Sequence, residues 1–313
     1  MSETIVVFGY GACGEAVVRL ATKGGRDVIV AQRKAPANLP AGAHFRAADI
    51  LDAAAVMAAA QGANQIVVAI GFPYDGRVWR ESWPKAIANI LAAAEATRGR
   101  VVFVDNLYMY GPQTEPLRED MALTDYGAKP AVRAGVTRQW MAAVAAGRVK
   151  FAALRAPDFY GPGVGAMSMF GDLGFGALAK GKSATLIIPP DQLHEFAYVP
   201  DIGRAVVTLL DAPDDAFGQA WHVPSAPITT ARKILELGAA ALGVKPRITA
   251  IPMWALPVLG LVMPALKGFI EMKFAWDRPY RVDHQKFAKR FWGDATPFEV
   301  GAVESAKSFR VRK

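Results

Sequence analysis

The sequence of 313 residues contains a single cysteine, Cys13, and only four histidines. One cysteine cannot form a disulfide within the chain, which fits a reducing compartment. His194 and His222 do not have the spacing of a metal site, so we expect no metal and a structural role for both. The first residues, MSET, lead into an apolar stretch without a basic segment or cleavage site. We therefore expect no secretory signal and a cytoplasmic protein.

Charged residues are scarce, at 20% against 52% hydrophobic residues, which favours a globular fold with a large buried area. Acidic residues are the rarer kind, with 28 Asp and Glu against 36 Lys and Arg. Residues 267–313 hold 11 basic and 6 acidic residues, and so carry most of the net charge of +8. A patch of this size gives only weak, salt-sensitive binding to nucleic acid. We interpret it as a solvated surface and expect no nucleic-acid partner, although such a rim could attract an anionic cofactor or substrate.

The sequence also offers no unbroken apolar run of the length that a membrane-spanning helix needs. One charge-free stretch, Ala250–Leu266, has 17 residues, whereas a spanning helix needs about 20. Pro252, Pro257 and Pro264 divide it further, because each proline removes a helix donor. We expect no transmembrane segment and short helices that line a substrate lobe, with a membrane-associated face as the alternative.

The first 155 residues do contain a regular alternation of β-branched runs and Ala- and Leu-rich stretches. The β-branched runs predict parallel strands at Ile5–Phe8, Val28–Ala31, His44–Ala47, Gln65–Ile70, Val101–Val104 and Phe151–Leu154. The stretches between them predict helices at Glu15–Thr22, Ala53–Ala60, Trp79–Ala96 and Pro130–Ala146. This alternation indicates an α/β protein with a Rossmann-type, doubly wound parallel sheet.

The segment IVVFGYGACGEAVVRLA joins the first strand to the first helix through a G-x-G-x-x-G loop. Gly9 allows a tight turn, Gly11 lets the backbone approach a pyrophosphate, and Gly14 allows close packing of helix on strand. We expect a dinucleotide at this loop, which consists of Gly9, Tyr10, Gly11, Ala12, Cys13 and Gly14. We interpret Cys13 as a small packing residue, with a redox-sensitive role as the alternative.

The end of the second strand predicts which dinucleotide is bound. An NAD site usually has an acidic residue there, which accepts a hydrogen bond from the ribose 2′-hydroxyl. This chain has Gln32, Arg33 and Lys34 instead. Two cations suit a 2′-phosphate, so NADP(H) is favoured over NAD(H). Asp49 and Ile50 follow the third strand, where we expect them to contact the adenine amino group.

After residue 155 the alternation of strands and helices becomes irregular, and glycine and proline become frequent. We interpret residues 1–155 as an NADP-binding Rossmann domain and residues 156–313 as mainly a small α/β substrate lobe. The segment 196–225 is expected to return to the Rossmann domain, so that the two are interwoven.

Several motifs follow the glycine loop in a fixed order. They are Asp49-Ile50, VVAIGF at 67–72, AIANILAAAEA at 86–96, FVDNLYMYGP at 103–112, LRAPDFYGPG at 154–163 and FAYVPDIGRAVVTLL at 196–210. With them, the chain resembles the extended or atypical short-chain dehydrogenases/reductases of the NAD-dependent epimerase/dehydratase superfamily over nearly its whole length. One departure is the loop itself, since extended members usually have G-x-x-G-x-x-G.

The resemblance implies further cofactor contacts, at Ala69, Ile70, Gly71, Asn89, Pro157 and Phe159. The first three would pass under the adenine ribose. The asparagine would correspond to one that kinks a helix near the active site, and the last two belong to a wall beside the nicotinamide. Related proteins often dimerise through a four-helix contact, so a homodimer is a possible assembly.

Catalysis in this family uses a Ser or Thr that binds the substrate oxygen and a Tyr-x-x-x-Lys pair. Counting back from Tyr110, the serine position falls on Asn106, whose amide can still donate to a carbonyl oxygen. Tyr108, Tyr110 and Tyr126 are candidate proton donors, and each could equally be a packing residue. Asp105 could be catalytic, but we interpret it as an acidic residue that caps the end of a strand.

The Tyr-x-x-x-Lys pair is missing, and two registers could replace it. Tyr126 and Lys129 are only three residues apart, and Pro130 places the start of the helix after them. In the other register, Lys129 takes the place of the family tyrosine and Arg133 that of the family lysine. We favour this second register, in which Lys129 could exchange protons and Arg133 could bind ribose hydroxyls.

Three functions fit these observations. The first is an NADP-dependent oxidoreductase that transfers hydride to or from a carbonyl or alcohol of a small molecule. The aromatic residues Trp254, Phe269 and Phe274 near the apolar segment suggest that this substrate is partly hydrophobic. The second is a redox-neutral epimerase or dehydratase that retains its cofactor, and the third is a non-catalytic NADP-sensing regulator.

Overall fold

The computed structural model describes residues 3–256 and 267–310. The chain forms two compact units. The first comprises Met1–Gly111, Ala122–Arg155 and Ile202–Val223, and the second comprises Pro112–Met121, Ala156–Asp201 and Pro224–Lys313. Residues 112–121 thus belong to the second unit. The part of the predicted helical segment that covers 257–266 lies outside the described residues.

The first unit is built on a seven-stranded sheet with the order β11-β6-β5-β4-β1-β2-β3, in which every neighbouring pair is parallel. The strands are β1 (Thr4–Phe8), β2 (Asp27–Gln32), β3 (Ala43–Ala47), β4 (Gln65–Val68), β5 (Arg100–Asp105), β6 (Lys150–Arg155) and β11 (Ala220–His222). The chain reverses its direction of travel across the sheet between β1 and β4. Ligands bind at such a switch point, outside the carboxyl ends of the strands.

Helices cover both faces of this sheet. They are α1 (Ala12–Lys23), α2 (Ala53–Ala60), α3 (Gly76–Thr97), α4 (Lys129–Ala145) and α6 (Val199–Asp211). On one face, α2, α3 and α4 bury a continuous hydrophobic cluster that includes Trp83, Ile87 and Trp140. On the other face, α1 and α6 approach closely, since a Cβ on Gly203 would lie 2.9 Å from that of Ala16.

The second unit contains short strands and helices. The strands are β7 (Phe159–Tyr160), β8 (Ala184–Leu186), β9 (Leu193–His194), β10 (Ala197–Tyr198), β12 (Thr229–Thr230) and β13 (Ile248–Ala250), which pair as β10-β7, β12-β9 and β13-β8. The helices are α5 (Gly176–Ala179), α7 (Ala231–Leu242), α8 (Lys267–Ile270), α9 (Gln285–Arg290) and α10 (Phe298–Ser308). Trp254 is exposed, whereas Phe274 is buried.

The predicted α/β class with a doubly wound parallel sheet is confirmed. The strand predicted to reach Ile70 ends at Val68, and the helix predicted to start at Pro130 starts one residue earlier, at Lys129. In the described parts of the chain, no helix combines the length and the apolar character that crossing a membrane requires.

Candidate functional site

The loop between β1 and α1 has the geometry of a dinucleotide cradle. Gly9 has a φ of +96°, and a Cβ on Gly14 would lie 2.1 Å from the carbonyl oxygen of Gly9, so both positions require glycine for the fold itself. Gly11, the residue before α1, is different because a Cβ there would meet nothing within 4 Å. The open space in front of Gly11 and the amino end of α1 fits a pyrophosphate.

Because Gly11 faces open space and Gly14 is tightly packed, substitutions at these two positions should affect cofactor binding and protein stability differently. Gly11→Asp should raise the Kd of NADPH by about 100-fold, because the carboxylate would occupy the open space and repel the pyrophosphate. The melting temperature of Gly11→Asp, measured by differential scanning fluorimetry, should stay near that of the wild type. Gly14→Ala should instead lower the melting temperature. Equal NADPH affinity of Gly11→Asp and the wild type would show that the dinucleotide does not pass this loop.

Gln32, the last residue of β2, borders an open cleft of about 360 Å³. Gln32 shapes it, since its Oε1 accepts from the backbone N–H of Tyr10 at 3.0 Å and its Nε2 donates to the Lys34 carbonyl oxygen at 2.7 Å. Arg33 and Lys34 are exposed and carry the two predicted cations. Arg19, which the sequence reading did not single out, also lines this cleft and pairs with Glu15 at 2.6 Å.

The other predicted cofactor residues lie around the same end of the sheet or in the second unit. Asp49 Oδ1 accepts from the backbone N–H of Leu51 at 2.9 Å, and Asn89 Nδ2 donates to the Ile50 carbonyl oxygen at 2.9 Å. Residues 69–71 follow β4, and the carbonyl oxygen of Ala69 would lie 2.5 Å from a Cβ on Gly9. Pro157 is buried and Phe159 starts β7, both in the second unit.

Cys13 lies in the first turn of α1, inside the glycine loop. Burial raises the pKa of its thiol to about 12. The thiol is therefore protonated at neutral pH, whereas the thiolate is the reactive form. This favours the packing interpretation of Cys13 over the redox-sensitive one.

A buried ion-pair cluster lies at the carboxyl end of β5. Asp105 pairs with the Arg133 guanidinium on α4, and Arg155 Nε lies 3.9 Å from the other carboxylate oxygen. Asp105 and Arg155 also face each other in the register of β5 and β6. Arg155 donates further to Thr137 Oγ1 at 3.2 Å. Asp105 is therefore more than a strand-end residue, because it ties β5 to both α4 and β6.

Arg133 and Lys129 lie one helical turn apart on α4, and each is only 1% exposed. The Arg133 guanidinium stacks on Trp83, with its carbon 4.0 Å from the ring centroid, and Lys129 Nζ lies 4.4 Å from the ring centroid of Tyr74. Aromatic faces stabilise such cations in a water-poor setting. The buried charged side chains described in the first unit are Lys129, Arg133, Arg155 and Asp105. Among the described residues of the first unit, three basic side chains and one acidic side chain are thus buried.

Asn106 follows Asp105 and has an oriented amide. Its Oδ1 accepts from the backbone N–H of Tyr108 at 3.0 Å, which leaves the NH₂ group to act as a donor toward a ligand. Tyr108 is half-buried and stacks on Trp79 at a centroid distance of 6.0 Å, and its hydroxyl lies 3.4 Å from that of Tyr74.

The other two candidate tyrosines are placed very differently. Tyr110 is buried, and its hydroxyl accepts from Arg155 at 2.5 Å and lies 2.8 Å from His222 Nε2. Tyr126 precedes α4 and is 45% exposed. The structure therefore brings Lys129 and Arg133 onto the buried side of α4 and leaves Tyr126 ahead of the helix.

Sequence reasoning missed Arg155 and the aromatic neighbours Tyr74, Trp79 and Trp83. The sequence does contain a signal for Arg155. The strand β5 ends in an acidic residue and β6 ends in a basic one, and neighbouring parallel strands end at the same edge of the sheet. The aromatic residues carry no such signal, since aromatic side chains at helical spacing are common in any core.

The fold and the glycine loop define a Rossmann-type nucleotide-binding protein. A model of the NAD dependent epimerase/dehydratase family matches residues 5–223. No curated protein matches the chain. The chain belongs to the NAD dependent epimerase/dehydratase family, since this match covers most of its length, and the predicted resemblance is confirmed. Enzymes of this family use a nicotinamide cofactor and act on small-molecule substrates.

Several solved structures share the fold over nearly the full length of this chain and of their own chains. The Bordetella bronchiseptica enzyme WbmH in complex with NAD+ is 18% identical, with a TM-score of 0.75 and 100% of both chains covered. The UDP-glucose 4-epimerase of Thermus thermophilus in complex with NAD is 19% identical, with a TM-score of 0.76 and 99% of this chain and 100% of the other covered. The dTDP-glucose 4,6-dehydratase of Bacillus anthracis in complex with NAD is 14% identical, with a TM-score of 0.79 and 100% of this chain and 98% of the other covered.

Proposed function

We propose that this protein is an NADP(H)-dependent oxidoreductase that reduces a carbonyl group, or oxidises the corresponding alcohol, of a small and partly hydrophobic molecule. The observation that supports this most is the buried Lys129–Arg133 turn of α4, held by Asp105 directly before Asn106. The first unit would hold the dinucleotide, and the second would contribute substrate contacts. When bound, the nicotinamide supplies the hydride chemistry.

Asn106 would polarise the substrate. Because its Oδ1 is held by the Tyr108 backbone N–H, its NH₂ group is available to donate to the carbonyl oxygen. A donor that is already oriented stabilises the charge that develops on this oxygen without reorganisation.

Lys129 would supply the proton. Arg133 cannot do so, because a guanidinium is not deprotonated in proteins. Arg133 would serve as a positioning residue, since its contacts with Asp105 and Trp83 fix the first turns of α4 and thereby the Lys129 side chain. In this scheme, Lys129 and Asn106 replace the usual tyrosine and serine together.

A redox-neutral epimerase or dehydratase is the second candidate, and membership of the epimerase/dehydratase family favours it. In such a reaction the cofactor returns to its starting state in each turnover. A panel of aldehydes and ketones mixed with the purified protein and NADPH decides between the two. Loss of absorbance at 340 nm in step with alcohol formation supports the oxidoreductase. Product formation at constant absorbance would support the redox-neutral enzyme, and tight NADPH binding without any product would contradict both.

The choice of cofactor has its own test. Arg33→Ala and Lys34→Ala should each raise the Kd of NADPH by about tenfold, the value of one charge-assisted phosphate contact, and leave that of NADH nearly unchanged. Titration of cofactor fluorescence measures both constants. Arg77→Ala, which removes an exposed arginine of α3, is the matched control and should affect neither. If the ratio of the NADPH Kd to the NADH Kd is the same in the Arg33→Ala, Lys34→Ala double variant and in the wild type, the two cations do not select the cofactor.

A further inference from the structure

The open cleft of about 360 Å³ beside the glycine loop is bordered by a charged pair to which the proposed function assigns no role. Its lining consists of Tyr10 in the glycine loop, Glu15 and Arg19 on α1, Gln32 at the end of β2, and residues 36–38. All of these residues belong to the first unit. The described lining thus holds one cation, Arg19, and one carboxylate, Glu15.

Gln32 occupies the place at the end of β2 where an NAD site usually has an acidic residue. Both ends of its amide are engaged by the backbone. Its Oε1 accepts from the N–H of Tyr10 at 3.0 Å, and its Nε2 donates to the Lys34 carbonyl oxygen at 2.7 Å. A neutral amide held in this way neither attracts nor repels a phosphate. The charge in the described wall of the cleft therefore comes from α1.

Tyr10 connects the cleft to the glycine loop. Its hydroxyl donates to the Asn38 carbonyl oxygen at 3.4 Å, and the next residue is Gly11, which faces open space. In a dinucleotide site, the ribose of the adenosine lies between the glycine loop and the end of the second strand. A dinucleotide with its pyrophosphate in front of Gly11 would therefore place this ribose at the cleft.

Glu15 and Arg19 lie one turn apart on α1, with the acid before the base, which is the favourable order for such a pair. Glu15 Oε1 accepts from Arg19 Nε at 2.8 Å and lies 2.6 Å from Nη2. This contact uses one edge of the guanidinium, so the Nη1 amino group can donate to a ligand. The side chains of Arg19 and Glu15 are 59% and 35% exposed, so a ligand in the cleft can reach them.

We propose that Arg19 binds the 2′-phosphate of NADP(H) and thereby selects this cofactor over NAD(H). A guanidinium binds phosphate through N–H groups in a fixed planar arrangement, and Glu15 would hold it at the wall of the cleft. Arg33 and Lys34 are exposed and follow Gln32, so the phosphate would receive cations from α1 as well as from the end of β2. This inference rests on the NADP(H) preference in the proposed function and refines it, because it adds a phosphate-binding residue on α1.

Isothermal titration calorimetry with adenosine 2′,5′-bisphosphate and adenosine 5′-monophosphate tests this contact without turnover, because the two ligands differ only in the 2′-phosphate. Arg19→Met should lower the ratio of the monophosphate Kd to the bisphosphate Kd by about tenfold, the value of one charge-assisted contact. The Kd of the monophosphate itself should stay near that of the wild type. Arg19→Lys, which keeps the charge, should retain part of the ratio.

The matched control is Lys23→Met. Lys23 is an exposed cation one turn further along α1, outside the residues that line the cleft, and its removal should leave the Kd ratio unchanged. The melting temperature of Arg19→Met should stay near that of the wild type, because an exposed ion pair contributes little to stability. Raising NaCl from about 50 to about 500 mM should lower the ratio more in the wild type than in Arg19→Met, since salt screens exposed charges.

The outcomes separate this inference from the proposed function. If the wild type prefers the bisphosphate and Arg19→Met prefers it equally, Arg19 does not bind the phosphate, while the NADP(H) preference stands. If the wild type binds both ligands equally, the NADP(H) preference fails too, and Glu15 becomes the candidate acceptor for the ribose 2′-hydroxyl. A lowered ratio in Arg19→Met, together with no reduction of any carbonyl in the 340 nm assay, would support the phosphate contact and refute the oxidoreductase.

Discussion

Lys129→Met should lower kcat for NADPH-dependent carbonyl reduction by about 10²- to 10⁴-fold, the usual contribution of a positioned proton donor. Methionine keeps an unbranched side chain of similar length, so the packing against Tyr74 should survive while the ammonium is lost. Steady-state rates at 340 nm give kcat, and a fluorescence titration gives the Kd of NADPH, which should remain close to that of the wild type. A variant that binds cofactor and has lost turnover would assign the proton transfer to Lys129.

The matched control for this experiment is Arg138→Met. Arg138 lies on the same helix, but its side chain is half exposed and pairs with Asp125. This variant should retain wild-type kcat. If Lys129→Met also keeps its kcat, the proton comes from another group, and Tyr108 would be tested next, because it is half-buried and its hydroxyl lies 3.4 Å from that of Tyr74.

Asp105→Ala should lower the free energy of unfolding by about 3–5 kcal/mol, the cost of leaving buried cations without their partner. The physical reason is that Arg133 and Arg155 would stay buried after the carboxylate is gone. Urea unfolding followed by far-UV circular dichroism measures the change. The double variant Asp105→Ala, Arg133→Met should recover part of the loss, because it removes one of the two uncompensated guanidiniums.

Asp214 provides the comparison for this prediction. It also contacts two cations, Arg100 at 2.7 Å and Lys150 at 2.6 Å, but its side chain is 55% exposed. Water screens such a pair, so Asp214→Ala should have a much smaller effect than Asp105→Ala. Equal effects of the two substitutions would show that burial of the Asp105 cluster adds nothing to stability.

Much of the first unit follows from local sequence patterns. The β-branched runs, the glycine loop and the start of α4 next to Pro130 are each encoded within a few residues, because strand burial, tight turns and proline stereochemistry are local properties. The glycine loop is the clearest case. Its spacing alone distinguishes Gly11, which faces open space, from Gly9 and Gly14, which the packing requires.

The register of the candidate catalytic residues was only partly accessible from the sequence. Spacing and Pro130 favoured Lys129 with Arg133 over Tyr126 with Lys129, and the structure places the first pair on the buried side of α4. Their chemical roles stay predictions. Nothing in the spacing indicated that Arg133 has Asp105 and Trp83 as partners, since these residues are 28 and 50 positions away.

The sequence by itself determined the α/β class, the family and the cofactor loop, because each depends on residues that are close along the chain. Only the tertiary structure decided which charges share a buried space. The contacts of Asp105 with Arg133 and Arg155 and of Tyr110 with His222 join segments up to 112 residues apart. Such pairs form only when strands and helices pack, and their low-dielectric surroundings then set the energy of each charge.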